Sequence, residues 1–147
     1  MAGDLYEQLV EDYLTIFEHL AVIPQFPVLF GKAGEPCFHE SEAGLSWAAF
    51  PDLLAVDFAN KQVQIIEVNR SAYAANLKSL AKRVAANRQK IEEYVRWFTK
   101  DGWGIQWRFF VRRKMSDQLK AAFEDGDFQP RMTHLEDVFD QIRDQMP

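Results

Sequence analysis

Cysteine is nearly absent. The single Cys37 among 147 residues cannot close an internal disulfide, and one Cys with three scattered His residues does not make a zinc cluster. That usage points to a reducing, cytoplasmic setting. Long apolar runs are missing too: none approaches the ~20 residues that a membrane-spanning helix requires. The first residues, MAGDLYEQLVEDYL, lack the basic n-region of an export signal. A soluble, unexported chain with no membrane partner is the expectation. No repeat, low-complexity run or linker divides the sequence, and its 48% hydrophobic content is enough for one core, so residues 1–147 are expected to form a single domain.

Positive charge is scarce overall, with a net charge of −5, which argues against a generic nucleic-acid coat. The distribution is uneven, however. From Arg70 to Lys114 there are twelve basic residues against three acidic ones (Glu92, Glu93 and Asp101), and the rest of the chain has five basic against nineteen acidic. Such asymmetry can steer a polyanion to one face while the acidic remainder keeps the protein in solution.

Periodicity gives the elements. Leu5, Leu9, Tyr13, Ile16, Phe17 and Leu20 recur at helical spacing with Glu7, Glu11 and Glu18 opposite, which predicts an amphipathic first helix ended by Pro24 and Pro27. A strand is expected over 26–30, and a loop interrupted by a short strand over 30–44. Two clearer strands follow, PDLLAVDF (51–58) and QVQIIEVN (62–69), as a hairpin. Leu77, Leu80, Val84, Ile91, Val95 and Phe98 then mark a long helix over about 74–100, with Arg88 near the centre of its apolar stripe. After Gly102 and Gly104, IQWRFFVRR alternates as a fourth strand, with Ile105, Trp107, Phe109 and Val111 inward and Gln106, Arg108 and Arg112 outward. Ser116 can cap a short helix ending at Gly126, and Thr133 with Glu136 reads as the capping box of a terminal helix. The expected fold class is α/β. Three strands without intervening helices imply an antiparallel portion, and the long helix allows a parallel crossover, hence a mixed sheet flanked by helices.

The hairpin carries the chemistry. Side chains alternate along a strand, so Glu67 and Asn69 share one face and Ile66 and Val68 the other. A two-residue loop at Ala59 and Asn60 would set Asp52 opposite Glu67, and one at Asn60 and Lys61 would set it opposite Asn69. Either gathers the three on one face, whereas a three-residue loop without a bulge would separate them. Two carboxylates on an apolar hairpin repel one another and are costly to desolvate. A divalent cation removes that objection, because Mg²⁺ takes hard oxygen ligands and is often held by one or two carboxylates with waters and substrate phosphate oxygens.

Pro51-Asp52, an apolar hairpin and Glu67-Val68-Asn69 resemble the signature of the PD-(D/E)XK nuclease superfamily, with Asn69 where that family has Lys. The likeness spans about 4–113 and implies a restriction-endonuclease-like mixed β-sheet flanked by helices, in the order αβββαβ plus C-terminal helices. It further implies that Asp52 and Glu67 hold Mg²⁺ (or Mn²⁺), with the Val68 carbonyl a further ligand. Asn69 can orient a water but has no charge with which to offset a phosphorane. Some family members take the lysine from the next helix, which makes Lys78, and after it Lys82, candidates for the missing catalytic cation. Arg70, Lys82, Arg83 and Arg88 are the candidate nucleic-acid contacts. Gln89 and Tyr94 come within one residue of a pairing found in one branch of the family.

The implied function is a divalent-metal-dependent hydrolase of DNA phosphodiester bonds. Asn69 also supports an alternative, a catalytically degenerate nuclease fold that binds nucleic acid or a protein partner. The small size is compatible with targeting by another protein or by a homodimer.

Overall fold

The computed structural model describes residues 4–24, 28–37, 51–123 and 126–147. Five strands form one mixed sheet in the order β1-β2-β3-β4-β5: β1 (Ala21–Pro24), β2 (Leu53–Asp57), β3 (Gln62–Asn69), β4 (Gly104–Val111) and β5 (Arg131–His134). The pairs β1/β2 and β2/β3 are antiparallel, whereas β3/β4 and β4/β5 are parallel. Helix α2 (Ala74–Phe98) makes the β3-to-β4 crossover, and α3 (Ser116–Ala122) precedes β5. Helices α1 (Leu5–Ile16) and α4 (Leu135–Asp144) complete the chain. The expected mixed α/β sheet is present. Among the described residues, no helix is long and apolar enough to cross a membrane.

Both faces of the sheet are covered, so there are two cores. Leu54, Val63, Ile65, Trp107, Phe109 and Val111 meet Leu77, Leu80, Val84, Ile91 and Val95 of α2. On the other face Leu53, Ala55, Ile66 and Phe110 meet Val10, Tyr13 and Leu14 of α1 and Leu135 and Val138 of α4. The central strands are therefore buried on both sides, which explains why β4 reads as the nearly continuous apolar run WRFFV. Phe110 fills the second core, and the face expected to be outward is an interior one.

Arg108 makes that face workable. It is fully buried, donating from Nη1 and Nη2 to the two carboxylate oxygens of Glu18 at 2.7 Å each. Its remaining donors reach Thr133 Oγ1 (2.9 Å) and Gln64 Oε1 (3.2 Å), and its guanidinium lies 4.6 Å from the Phe110 ring centroid. Glu18, expected on the solvated side of α1, is thus turned inward. Burial alone would raise its pKa, but hydrogen bonds from Arg108 and that residue's charge outweigh burial and hold it below the usual carboxylate value.

Several local expectations are corrected. The first strand is Ala21–Pro24 rather than 26–30, of which 26–27 lie outside the described residues. Pro24 is tolerated there because β1 is an edge strand. Of the segment read as a loop with a strand, 38–44 lie outside the described residues, and the described part holds a bridge between Phe30 and Pro36. In α1 the buried ridge is Val10, Tyr13 and Leu14, with Leu5 and Ile16 exposed. Thr133 does not cap α4: it lies in β5 and accepts from Arg108, while Glu136 accepts the Arg113 N–H at 2.8 Å. Helix α3 ends at Ala122, and Ser116 is its first residue rather than its cap.

Replacing Arg108 by Ala strands Glu18 and Gln64 in an apolar layer and is expected to cost about 3–5 kcal/mol, read as a lowered urea midpoint. Because the Glu18 pKa is depressed in the folded state, this pair stabilises the protein above the ordinary carboxylate value. Its contribution should fade as the pH falls below that value, and it should be missing from the acid limb of the Arg108→Ala profile.

Candidate functional site

The hairpin sets the geometry. Pairing of Leu53 with Ile66 and of Asp57 with Gln62 leaves a four-residue turn, Phe58–Lys61. Asp57 closes the turn by accepting from the Asn60 N–H (3.1 Å) and Nδ2 (2.7 Å), and Lys61 adopts φ +52°. An even-numbered turn preserves the alternation that a two-residue loop would give. Continued one rung beyond Leu53, the register sets Asp52 opposite Glu67. Asp52 Oδ2 accepts the Val68 N–H at 2.7 Å, fastening the start of β2 across β3.

Glu67 is only 4% exposed, and burial is the main reason its pKa stands well above the ordinary carboxylate value. The charge of Asp52 and a hydrogen bond shared with it push in the same direction, and Arg83 pulls the other way. Arg83 Nη2 on α2 lies 3.4 Å from Glu67 Oε2, with the Arg side chain half exposed at the rim. A third carboxylate adjoins the pair. Glu7, in the first turn of α1, is raised to about 7, chiefly by burial and then by the charge of Asp52 and a hydrogen bond with it. Asp4 caps that turn by accepting the Glu7 N–H at 2.9 Å.

Not every residue singled out from the sequence joins this cluster. Asn69 Oδ1 accepts the Ser71 N–H (2.8 Å), and Ser71 Oγ in turn accepts from the Tyr73 N–H and Asn76 Nδ2, so Asn69 shapes the entry to α2. Val68 contributes its backbone N–H, and its side chain packs toward the α1/α4 core. Arg70 turns to the α1 side, as strand alternation requires, and lies 5.2 Å from the Tyr6 ring centroid. Lys78 and Lys82 lie instead on the flank of α2 that faces α3, lining a groove with Phe123 and Phe128. Arg88 also lines it, 3.4 Å from Glu92 and stacked 4.5 Å from the Phe128 ring centroid. Tyr94 is buried, donating from its hydroxyl to the Cys37 carbonyl at 2.7 Å. Trp107 is buried likewise, donating to Glu92 (3.0 Å).

Sequence reasoning missed Glu7, because the stripe of Leu5, Leu9 and Ile16 phased the helix so that Glu7 faced water. It named Arg83 only as a nucleic-acid contact, whereas Arg83 is the α2 cation that reaches Glu67.

The donor set suits a hard divalent cation. Two carboxylates and a third beside them gather acidic groups that, among the described residues, the half-exposed Arg83 guanidinium offsets in part. Among the described residues, no three His, Cys, Asp or Glu side chains converge as a ready-made cage. The arrangement is a carboxylate pair with an adjoining acid, and for Mg²⁺ a pair is enough when waters and substrate oxygens complete the shell. No family model, curated protein or solved structure matches the chain.

The raised pKa values of Glu67 and Glu7 mean that the folded state favours their protonated forms. In EDTA, stability should therefore be greatest below the unfolded carboxylate pKa and decline as the pH rises through about 7. Glu67→Gln is expected to weaken that decline and, at pH 8, to raise unfolding stability, read as a urea midpoint above the parent's. A Gln variant less stable than the parent at pH 8 would show that ionised Glu67 is a structural charge.

Proposed function

We propose that the chain is a divalent-metal-dependent nuclease of the PD-(D/E)XK type, hydrolysing DNA phosphodiester bonds with Mg²⁺ or Mn²⁺. The observation that carries the reading is the burial of Glu67 on a strand rung facing Asp52. Burying a carboxylate beside a second one is costly, and the Arg83 contact at 3.4 Å offsets that cost in part, so a divalent ion is a partner that would complete the offset. The first six elements, αβββαβ around a mixed sheet, support a restriction-endonuclease-like fold, although a fifth strand, β5, stands between α3 and α4 where only helices were expected.

Asp52 and Glu67 would hold the ion, with the Val68 carbonyl and Glu7 offering further oxygens. Bound there, the ion supplies Lewis acidity toward a phosphoryl oxygen and toward the attacking water. Asp52 is kept in place by the Val68 N–H, and Glu67 by its strand and the packed layer beneath α2. Arg83 supplies the positive charge that Asn69 lacks. Its Nη2 meets Glu67 while the side chain stays half exposed, which suits it to a phosphate whose charge grows in the transition state. Glu7, which burial raises to about 7, can exchange a proton with a water near neutral pH.

One observation favours a second reading, a catalytically degenerate module that binds nucleic acid or a protein. The carbonyl oxygen of Asn69 is committed to the Ser71 N–H, so that side chain is part of a turn rather than a water-positioning group.

Incubation with supercoiled, linear and branched DNA in Mg²⁺ or Mn²⁺ separates the two. Cleavage is expected from the parent, absent from Asp52→Ala and Glu67→Ala, and lowered about 10²-fold in Arg83→Ala, with partial recovery in Arg83→Lys. Retained activity in Lys78→Ala is expected as well, because Lys78 lies on the other flank of α2. Metal-independent cleavage, or none on any substrate, would remove the nuclease reading.

A further inference from the structure

Helix α2 has two charged flanks. Arg83 marks the one that meets the acids. Lys78, five residues earlier and thus about 140° round the helix, marks the other, with Lys82 one turn beyond it. On that second flank a groove of about 700 Å³ runs between α2 and α3.

Three observations describe what the groove can hold. Its cationic lining is Lys78, Lys82 and Arg88, the last paired with Glu92 at 3.4 Å, and among the described residues none that lines it is acidic, in a chain where acids outnumber bases by 22 to 17. Much of its surface is alanine, Ala85 and Ala86 from α2 with Ala121 and Ala122 from α3, so no bulky side chain blocks close approach. One wall is aromatic: Phe123 and Phe128 lie edge to face at 4.9 Å, and the Arg88 guanidinium covers Phe128. Lys78 and Lys82 are exposed, which leaves their ammonium groups available to a ligand.

A small anion would need only the lysines, and an acidic helix would want a deeper apolar channel. A flexible polyanion with flat aromatic groups uses all three properties: paired cations for its backbone, a shallow floor, and an aromatic and guanidinium surface for stacking. We infer that the α2/α3 groove is a binding site for single-stranded nucleic acid, with Lys78 and Lys82 on consecutive phosphates and a base against the Arg88 and Phe128 wall. The site goes beyond the nuclease reading and does not depend on it, since a binding module would use it equally. Should cleavage occur, α2 stands as a ridge ~10 Å across between the bound strand and the acids.

The test is equilibrium binding of a fluorescein-labelled, mixed-sequence single-stranded DNA to the full chain in EDTA, where cleavage cannot contribute. Lys78→Glu/Lys82→Glu should weaken binding at least ~10-fold and make the slope of log affinity against log salt shallower by ~1.4, the value for two phosphate contacts on a single strand. Ala85→Trp, which fills the groove without changing charge, should weaken binding as well. Lys32→Glu/Lys100→Glu changes net charge equally elsewhere and should leave affinity within about twofold; circular dichroism checks that each variant folds. Equal losses in both lysine pairs, no effect of Ala85→Trp, or displacement of the DNA by poly-glutamate at equal charge concentration would overturn the assignment. Absent cleavage with groove-dependent binding would remove the nuclease reading and keep the groove. Normal cleavage with binding indifferent to Lys78, Lys82 and Ala85 would do the reverse.

Discussion

Two carboxylates face one another across adjacent strands of a buried hairpin, and the surroundings of that pair follow from what it costs to keep them there. Burial raises the proton affinity of Glu67, and the charge of Asp52 a rung away raises it further. Part of the cost is met locally: the Val68 N–H binds Asp52, and Arg83 approaches Glu67 from α2. With Glu7 adjoining from α1, the acids outnumber their cations among the described residues. In that balance Glu67 and Glu7 hold their protons above the ordinary carboxylate value.

The scaffold that holds it is a sheet covered on both sides. Helix α2 lies over one face and places Arg83 at the acids, while α1 and α4 cover the other face, bringing Glu7 in from the first turn of α1. The second layer is organised around Arg108, whose donors are met by Glu18, Gln64 and Thr133, elements far apart in sequence. A buried guanidinium so fully satisfied fixes where α1 and β5 sit relative to β4. The two charge clusters differ in kind: Arg108 with Glu18 closes on itself, whereas the acids with Arg83 remain open at a half-exposed rim.

Much of this was legible in the residues. The bounds of β3, the long helix and the mixed sheet follow from alternation and helical spacing, because those signals are local, whereas the residues alone left open whether the hairpin turn is even or odd. The actual turn has four residues rather than two, but any even turn yields the same faces. What escaped depends on tertiary partners. Strand β5 is only four residues long, and its Thr133 and Glu136 mimic a capping box that the Arg108 and Arg113 contacts override. The phase of α1 was misjudged because Leu5 and Ile16 are exposed apolar residues. Glu7 and Glu18 were consequently assigned to solvent. Choosing among the cations of α2 required knowing which flank meets β3, and that is decided by packing: Arg83 faces Glu67, and Lys78 and Lys82 face α3.

The central claim is that the acid pair exists for a cation. Calorimetric titration of the full chain with Mn²⁺ near pH 6.5, repeated in two buffers of different ionisation enthalpy, addresses it without reference to any substrate. Since the folded state favours protonated Glu67 and Glu7, the account predicts one ion per chain bound with release of protons, and loss of both the heat and the release in Asp52→Ala and Glu67→Ala. Failure of the parent to bind Mn²⁺, with DNA absent or present, would contradict it.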